Sequence, residues 1–302
     1  MRSPRQAVSV SMPEPTVVTP AVLRDWKLPE PGTGKEARGH LLVIGGTTST
    51  PGAVQLAGEA ALRAGAGKLQ IATPGAGAAA LAVSVPEALV VVLSENAHGS
   101  IDVAAADTLA SYASGPDAVL IGSGFVDPGD SEGLISAFAA ELDTPVVVDA
   151  IGSAFLTEHP EGLVHLGGRA VLTVNHKELA ITADCDPDEV EQDPLGPASR
   201  VAERSQVVVV AGGARKHVVA PDGRCWVIEG GGPGLDVAGP GDAQAGIVSG
   251  LLARGADAAQ AAVWGGYLHA RTGERLAASV GFVGYLAREL PGQVPAVLGE
   301  LA

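Results

Sequence analysis

An α/β fold built on a mostly parallel sheet accounts for the pattern of this 302-residue chain, and three features carry that reading. From residue 40 onward, short apolar runs alternate with turns of Gly, Pro, Asp or Ser and with longer Ala/Leu-rich amphipathic stretches, as parallel strands joined by helical crossovers do. The apolar runs lack strict apolar/polar alternation, which is expected of strands covered on both faces. Hydrophobic residues make up 46% of the chain and charged residues 18%, a globular balance that supports a large core.

The strands are predicted in order at 41–45, 69–73, 88–93, 118–122, 146–149, 170–173 and 206–210, each a run of Val, Ile, Leu or Ala closed by a turn residue or a polar residue. The stretch "APDGRCWVIEG" at 220–230 differs: a PDG turn between two short runs reads as a β-hairpin near the edge of the sheet. Beyond it the chain is predicted to be helical apart from short breaks. No repeat of solenoid period occurs, and no linker divides residues 20–302, which are expected to form one domain behind a flexible N-terminal tail at 1–19.

A formal net charge of −15, spread along the chain, argues against nucleic acid or an anionic membrane as the main partner, so small molecules are the expected ligands. Two isolated cysteines, Cys185 and Cys225, supply neither a disulfide framework nor a zinc site, which fits a reducing cytoplasm. The first twenty residues lack a signal-peptide apolar run, and no segment has 18 consecutive apolar residues free of glycine or charge. Several glycine-rich strings fail as phosphate motifs. "GAGK" at 65–68 has Leu62 and Leu69 where a P-loop needs glycine and a hydroxyl residue, and "GSGFVD" at 122–127 lacks the third glycine of a dinucleotide fingerprint. "DCDPDEVEQD" at 184–193 has Glu189 where a calcium loop needs glycine and reads as a solvated acidic loop.

One constellation survives. Gly239-Pro240-Gly241-Asp242 precedes a stretch whose Ile247, Val248, Leu251 and Leu252 have helical spacing, so the loop opens a helix. Helix N-termini present unpaired N–H groups and a partial positive charge, and glycine lets a phosphate approach the backbone. Asp242 is then either a base beside an anion or a helix cap. Asn175 ends a predicted strand and Glu178 follows three residues later, at the carboxyl end of the sheet where open α/β folds bind ligands, although the same pair also matches a capping box.

Together, Asn-x-x-Glu and Gly-x-Gly-Asp resemble the ribokinase-like superfamily, with its three-layer α/β/α architecture. The blocks "GHLLVIGGTTSTPGAVQLAGEAALRAGAGKLQIATP" (39–74), "VPEALV" (85–90), "DAVLIGSG" (117–124), "VVVDA" (146–150) and "GGPGLDVAGPGDAQAGIVSGLLARG" (231–255) narrow this. In order and over most of 20–300, they resemble the NAD(P)H-hydrate dehydratase family, in the form without a fused epimerase domain. The resemblance implies dehydration of the S-epimer of hydrated NADH or NADPH, driven by ADP, or else ATP, with Mg2+. It makes Asp242 the catalytic base and Gly239, Pro240 and Gly241 the anion hole. It places Ala53, Gly124 and Asn175, with Asp242, on the nicotinamide nucleotide, and Ala211, Gly212, Gly213, Arg215 and Gly241 on the ADP or ATP. Glu178 would hold magnesium through water. A cytoplasmic homo-oligomer is expected.

The departures from the family pattern cluster around the nucleotide. Pro240 replaces a threonine and lacks an N–H, Ala243-Gln244 follow the aspartate in place of two apolar residues, and Asp236 adds negative charge. Ala211 stands where a lysine is usual. Arg215 and Lys216 are the nearest cations to take its place, and sequence leaves their direction open. Ile151 stands where the family often repeats aspartate. The adenine is expected to pack against the apolar side of the 257–277 helix, whose Trp264 and Tyr267 serve equally well as core residues. Two alternatives stay open: a small-molecule kinase of the same fold acting on a sugar or vitamin-precursor alcohol, and a nucleotide-binding paralogue without turnover.

Overall fold

The computed structural model describes residues 14–213 and 215–301. In chain order the elements are β1 (Thr16–Val17), α1 (Pro20–Asp25), β2 (His40–Ile44), α2 (Pro51–Arg63), β3 (Lys68–Pro74), α3 (Gly75–Ser84), β4 (Ala88–Leu93), α4 (Ala106–Ala113), β5 (Ala118–Ile121), α5 (Pro128–Phe138) and β6 (Val146–Asp149). There follow α6 (Ala154–Glu158), β7 (Ala170–Val174), α7 (His176–Thr182), α8 (Pro187–Gln192), α9 (Leu195–Ser205), β8 (Val207–Ala211), β9 (Arg215–Val219), β10 (Cys225–Glu229), α10 (Pro240–Ala253), α11 (Ala258–Ser279) and α12 (Leu290–Leu301). The strands join into one sheet of order β1-β10-β9-β8-β7-β6-β5-β2-β3-β4, in which β9 alone runs antiparallel to its neighbours.

Each central strand sends alternate residues to two cores. Leu41 and Val43 of β2 join α2, α10 and α11 on one face, while Leu42 and Ile44 join α4, α5 and α9 on the other. These are the outer layers of an α/β/α sandwich, and burial on both faces explains the unalternating sequence runs. The order reverses at β2, with β3 on one side and β5 on the other, so a crevice opens at the carboxyl ends of β2 and β5. Helix α10 packs tightly on α2. A Cβ at Gly246 would lie 2.1 Å from the Ala57 carbonyl oxygen, so the approach requires glycine there.

Three expectations need correction. Residues 1–13 of the expected tail lie outside the described residues, but Thr16 and Val17 pair in parallel with Trp226 and Val227 of β10, and Thr19 caps α1. The hairpin is real but its first arm is β9, with Ala220–Arg224 forming the turn, and β1 covers its outer side. The acidic stretch is not wholly loop, because Asp186 caps α8 with Pro187 at its first position and Asp188 and Glu189 in its first turn, all favoured at a helix start. Among the described residues, no helix is long and apolar enough to cross a membrane.

Candidate active site

The carboxyl ends of β6, β7 and β8 open on a cavity of about 1010 Å³, closed from the other side by the N-terminus of α10. Gly239 is the N-cap of α10 with φ +102°, a left-handed conformation suited to glycine, and its missing Cβ avoids Ala287 and Leu56. Pro240 occupies the first helical position, where an N–H would have no partner within the helix anyway, so the proline costs the helix nothing. At Gly241 a Cβ would meet no protein atom within 4 Å, so packing does not demand glycine and the space beside it faces the cavity.

Gly239, not Asp242, is the N-cap of α10; Asp242 sits in the first turn, where an acid also complements the helix terminus, and it borders the cavity. Burial pushes its carboxyl above the ordinary carboxylate range, while a hydrogen bond with Ser123 acts the other way. Facing it at the end of β6 is Asp149, 4% exposed, which accepts hydrogen bonds from Ser123 Oγ and Thr173 Oγ1, each at 2.7 Å. Burial and the neighbouring Asp242 raise the Asp149 carboxyl strongly, since two carboxylates in one desolvated site resist joint ionisation. Ala150, next in the chain, has φ +49°, an unfavourable conformation for a residue with a Cβ and one that the β6 turn imposes.

Asn175 and Glu178 also border the cavity, and their geometry is a capping box. Asn175 Oδ1 accepts from the N–H groups of Lys177 and Glu178, and Glu178 Oε2 accepts from the Asn175 N–H at 2.9 Å. Desolvation raises the Glu178 carboxyl, while the hydrogen bonds from Asn175 act the other way. The cap holds α7 and keeps the Glu178 carboxylate at the cavity edge. Among the described residues, no group of three or more His, Cys, Asp or Glu side chains is placed to hold a metal by itself.

The structure divides the remaining expected residues. Gly212 and Gly213 line the cavity, whereas Ala211 is fully buried in β8. Arg215 is turned outward and pairs with Glu229 at 3.2 Å, outside the cavity lining, and strand alternation turns Lys216 inward instead. Ala53 and Gly124 meet at the β2/β5 crevice, where a Cβ on Gly124 would lie 2.8 Å from that of Ala53. They do not line the large cavity, but Ser123 connects that loop to Asp149 and Asp242. Trp264 is a core residue, 4% exposed, donating its indole N–H to the Trp26 carbonyl, so α11 reaches the cavity through His269.

Sequence reasoning missed Ser123, Asp149, Thr173 and His269 as members of the site. The carboxyl-end positions of 118–122, 146–149 and 170–173 were a usable signal for the first three. His269, beside the Pro240 backbone, is held neutral by burial and by the charge of Lys216, and nothing in its sequence neighbourhood announces this.

One mostly parallel sheet between helical layers, with a glycine-opened helix N-terminus at its carboxyl edge, gives the chain the ribokinase-like fold of its structural neighbours. The family model for NAD(P)H-hydrate dehydratase matches residues 41–295, and the chain belongs to that family. It is 43% identical over 289 residues to the ADP-dependent (S)-NAD(P)H-hydrate dehydratase of Xanthomonas campestris, covering 96% of this chain and 98% of that protein. A bifunctional NAD(P)H-hydrate repair enzyme of Moorella thermoacetica is 32% identical over 273 residues, and there the match spans only 52% of the longer relative. The structure of the Bacillus subtilis ADP/ATP-dependent NAD(P)H-hydrate dehydratase, co-crystallised with ATP/Mg2+, superposes with a TM-score of 0.79 at 24% identity, covering 96% of this chain and 99% of that one, a likeness of fold.

Proposed function

We propose that this protein dehydrates the S-epimer of hydrated NADH and NADPH at the expense of ADP, with Asp242 as the base. The observation that carries the reading is the buried Asp242 carboxyl, set beside the glycine-opened N-terminus of α10 and bordering the large cavity. The match to the Xanthomonas enzyme over nearly the full length of both chains supports the substrate and the donor.

Hydroxide is a poor leaving group, and transfer of a phosphoryl group to the hydrate's hydroxyl converts it into a good one. Asp242 takes the hydroxyl proton as the oxygen bonds to the terminal phosphorus of ADP and AMP departs. The ring nitrogen then pushes out phosphate, and loss of a proton from the adjacent ring carbon restores the dihydronicotinamide. A positioned base of this kind contributes about 10²–10⁴-fold. The N–H groups of Gly241 and Asp242 and the partial charge of the α10 terminus stabilise the transferring phosphoryl, while Pro240 withholds the N–H donor that another residue would offer the anion there.

Glu178 is the residue to hold magnesium, through water, since this ion keeps several waters and takes one or two carboxylates beside phosphate oxygens. Bound there, the ion would supply neutralisation of phosphate charge. The nicotinamide nucleotide is assigned to the crevice of Ala53 and Gly124, and ADP to the side of Gly212 and Gly213. Product analysis tests the reading: one AMP and one phosphate are expected for each NADH restored. A phosphorylated product that accumulates without restored NADH would instead mark a kinase.

A further inference from the structure

Among the described residues, the large cavity is bordered by one buried lysine that makes no ion pair. Its lining includes the acids Asp149, Glu178, Glu191, Asp236 and Asp242 but only two lysines, Lys177 and Lys216. Lys177 is exposed to solvent, while Lys216 is 5% exposed. Among the described residues Lys216 makes no ion pair or hydrogen bond, and the nearest opposite charge acting on it is the exposed Asp236. An unpaired buried ammonium is costly, and burial pulls this one down to about 8. Its stem passes close to Gly266 of α11, whose missing Cβ would lie 3.8 Å from Lys216 Cδ, and its head borders the cavity.

Resting on the dehydratase reading, we propose that Lys216 is the cationic contact for the phosphates of the nucleoside diphosphate, reaching into the cavity from β9 opposite the N–H groups of α10. A phosphate placed between them meets a helix N-terminus on one side and a full positive charge on the other, in a site otherwise lined with carboxyl groups. The same contact offsets Asp236, whose charge near the phosphates would otherwise oppose binding. Arg215, one residue earlier, cannot serve, because strand alternation directs it to Glu229.

The test is calorimetric titration of wild type and Lys216→Met with ADP, adenosine and NADH, the last standing for the other phosphate-bearing ligand. Methionine matches the stem and removes the buried charge, so the fold is expected to be kept. Lys216→Gln, polar and uncharged, repeats the test if it is not. The expected result is ADP affinity weaker by roughly 10- to 100-fold, as for loss of a charge-assisted contact, with adenosine and NADH affinities unchanged. Unchanged ADP affinity overturns the assignment, as does a loss confined to NADH, which would place Lys216 on the dinucleotide. Wild type that binds no ADP at all contradicts the dehydratase reading itself.

Discussion

At the scale of single residues, the site turns on two neighbouring carboxyls held in different ways. Asn nearly matches Asp in shape, so Asp242→Asn should keep the fold and ADP binding while turnover falls by about 10² or more, measured as single-turnover NADH recovery. Because burial raises the Asp242 carboxyl, the rate should decline on the acid side at a pH above the ordinary carboxylate value of about 4, in a profile of kcat/KM against pH. Asp149 carries a stability consequence of definite sign. Its carboxyl is raised in the folded protein, so the folded state binds more protons than the unfolded one, and this group adds stability as pH falls from neutral toward about 4. Asp149→Asn should therefore raise the denaturant midpoint at neutral pH, and the gain should shrink in acid. Asp242 was legible in sequence because a Gly-x-Gly-Asp loop before a helix has a direct electrostatic meaning. Asp149 was not, since its role depends on hydroxyls 26 and 24 residues away in the chain.

At the scale of elements, α10 and α7 place the site, by different means. The position of α10 depends on glycine against α2, so Gly246→Val should overpack that contact, cost about 1–3 kcal/mol or more in chemical unfolding, and lower activity by displacing Asp242. The start of α7 depends on the Asn175 cap, and Asn175→Ala should cost about 1 kcal/mol, whereas Asn175→Ser should recover most of it. Activity that stays low in the serine variant despite restored stability would separate a ligand role from the cap. The parallel strands were legible within a residue or so because each is a dense apolar run between turns. The first arm of the hairpin was not, since Arg215–Val219 opens with two charged residues and His217, and only its last two residues are apolar. The direction of Arg215 and Lys216 likewise required the register of β9 with β8, which sequence does not supply.

At the scale of the whole molecule, one sheet joins the β2/β5 crevice to the cavity beyond β6, with Ser123 linked to Asp149 and Asp242 between them. The far edge is closed by β1, continuous with the burial of Val18 and Leu23. A chain shortened to begin at Pro20 should melt lower, because it exposes β10 and removes that cover. The central claim, that a kinase-like scaffold here performs dehydration, is tested most directly by mixing the protein with purified NADH hydrate and magnesium and following the near-ultraviolet absorbance of NADH with ADP, with ATP and with no nucleotide. Absorbance that returns with ADP, and not without a nucleotide or with Asp242→Asn, is the predicted result. Folded wild-type protein that restores none with either nucleotide would contradict the account.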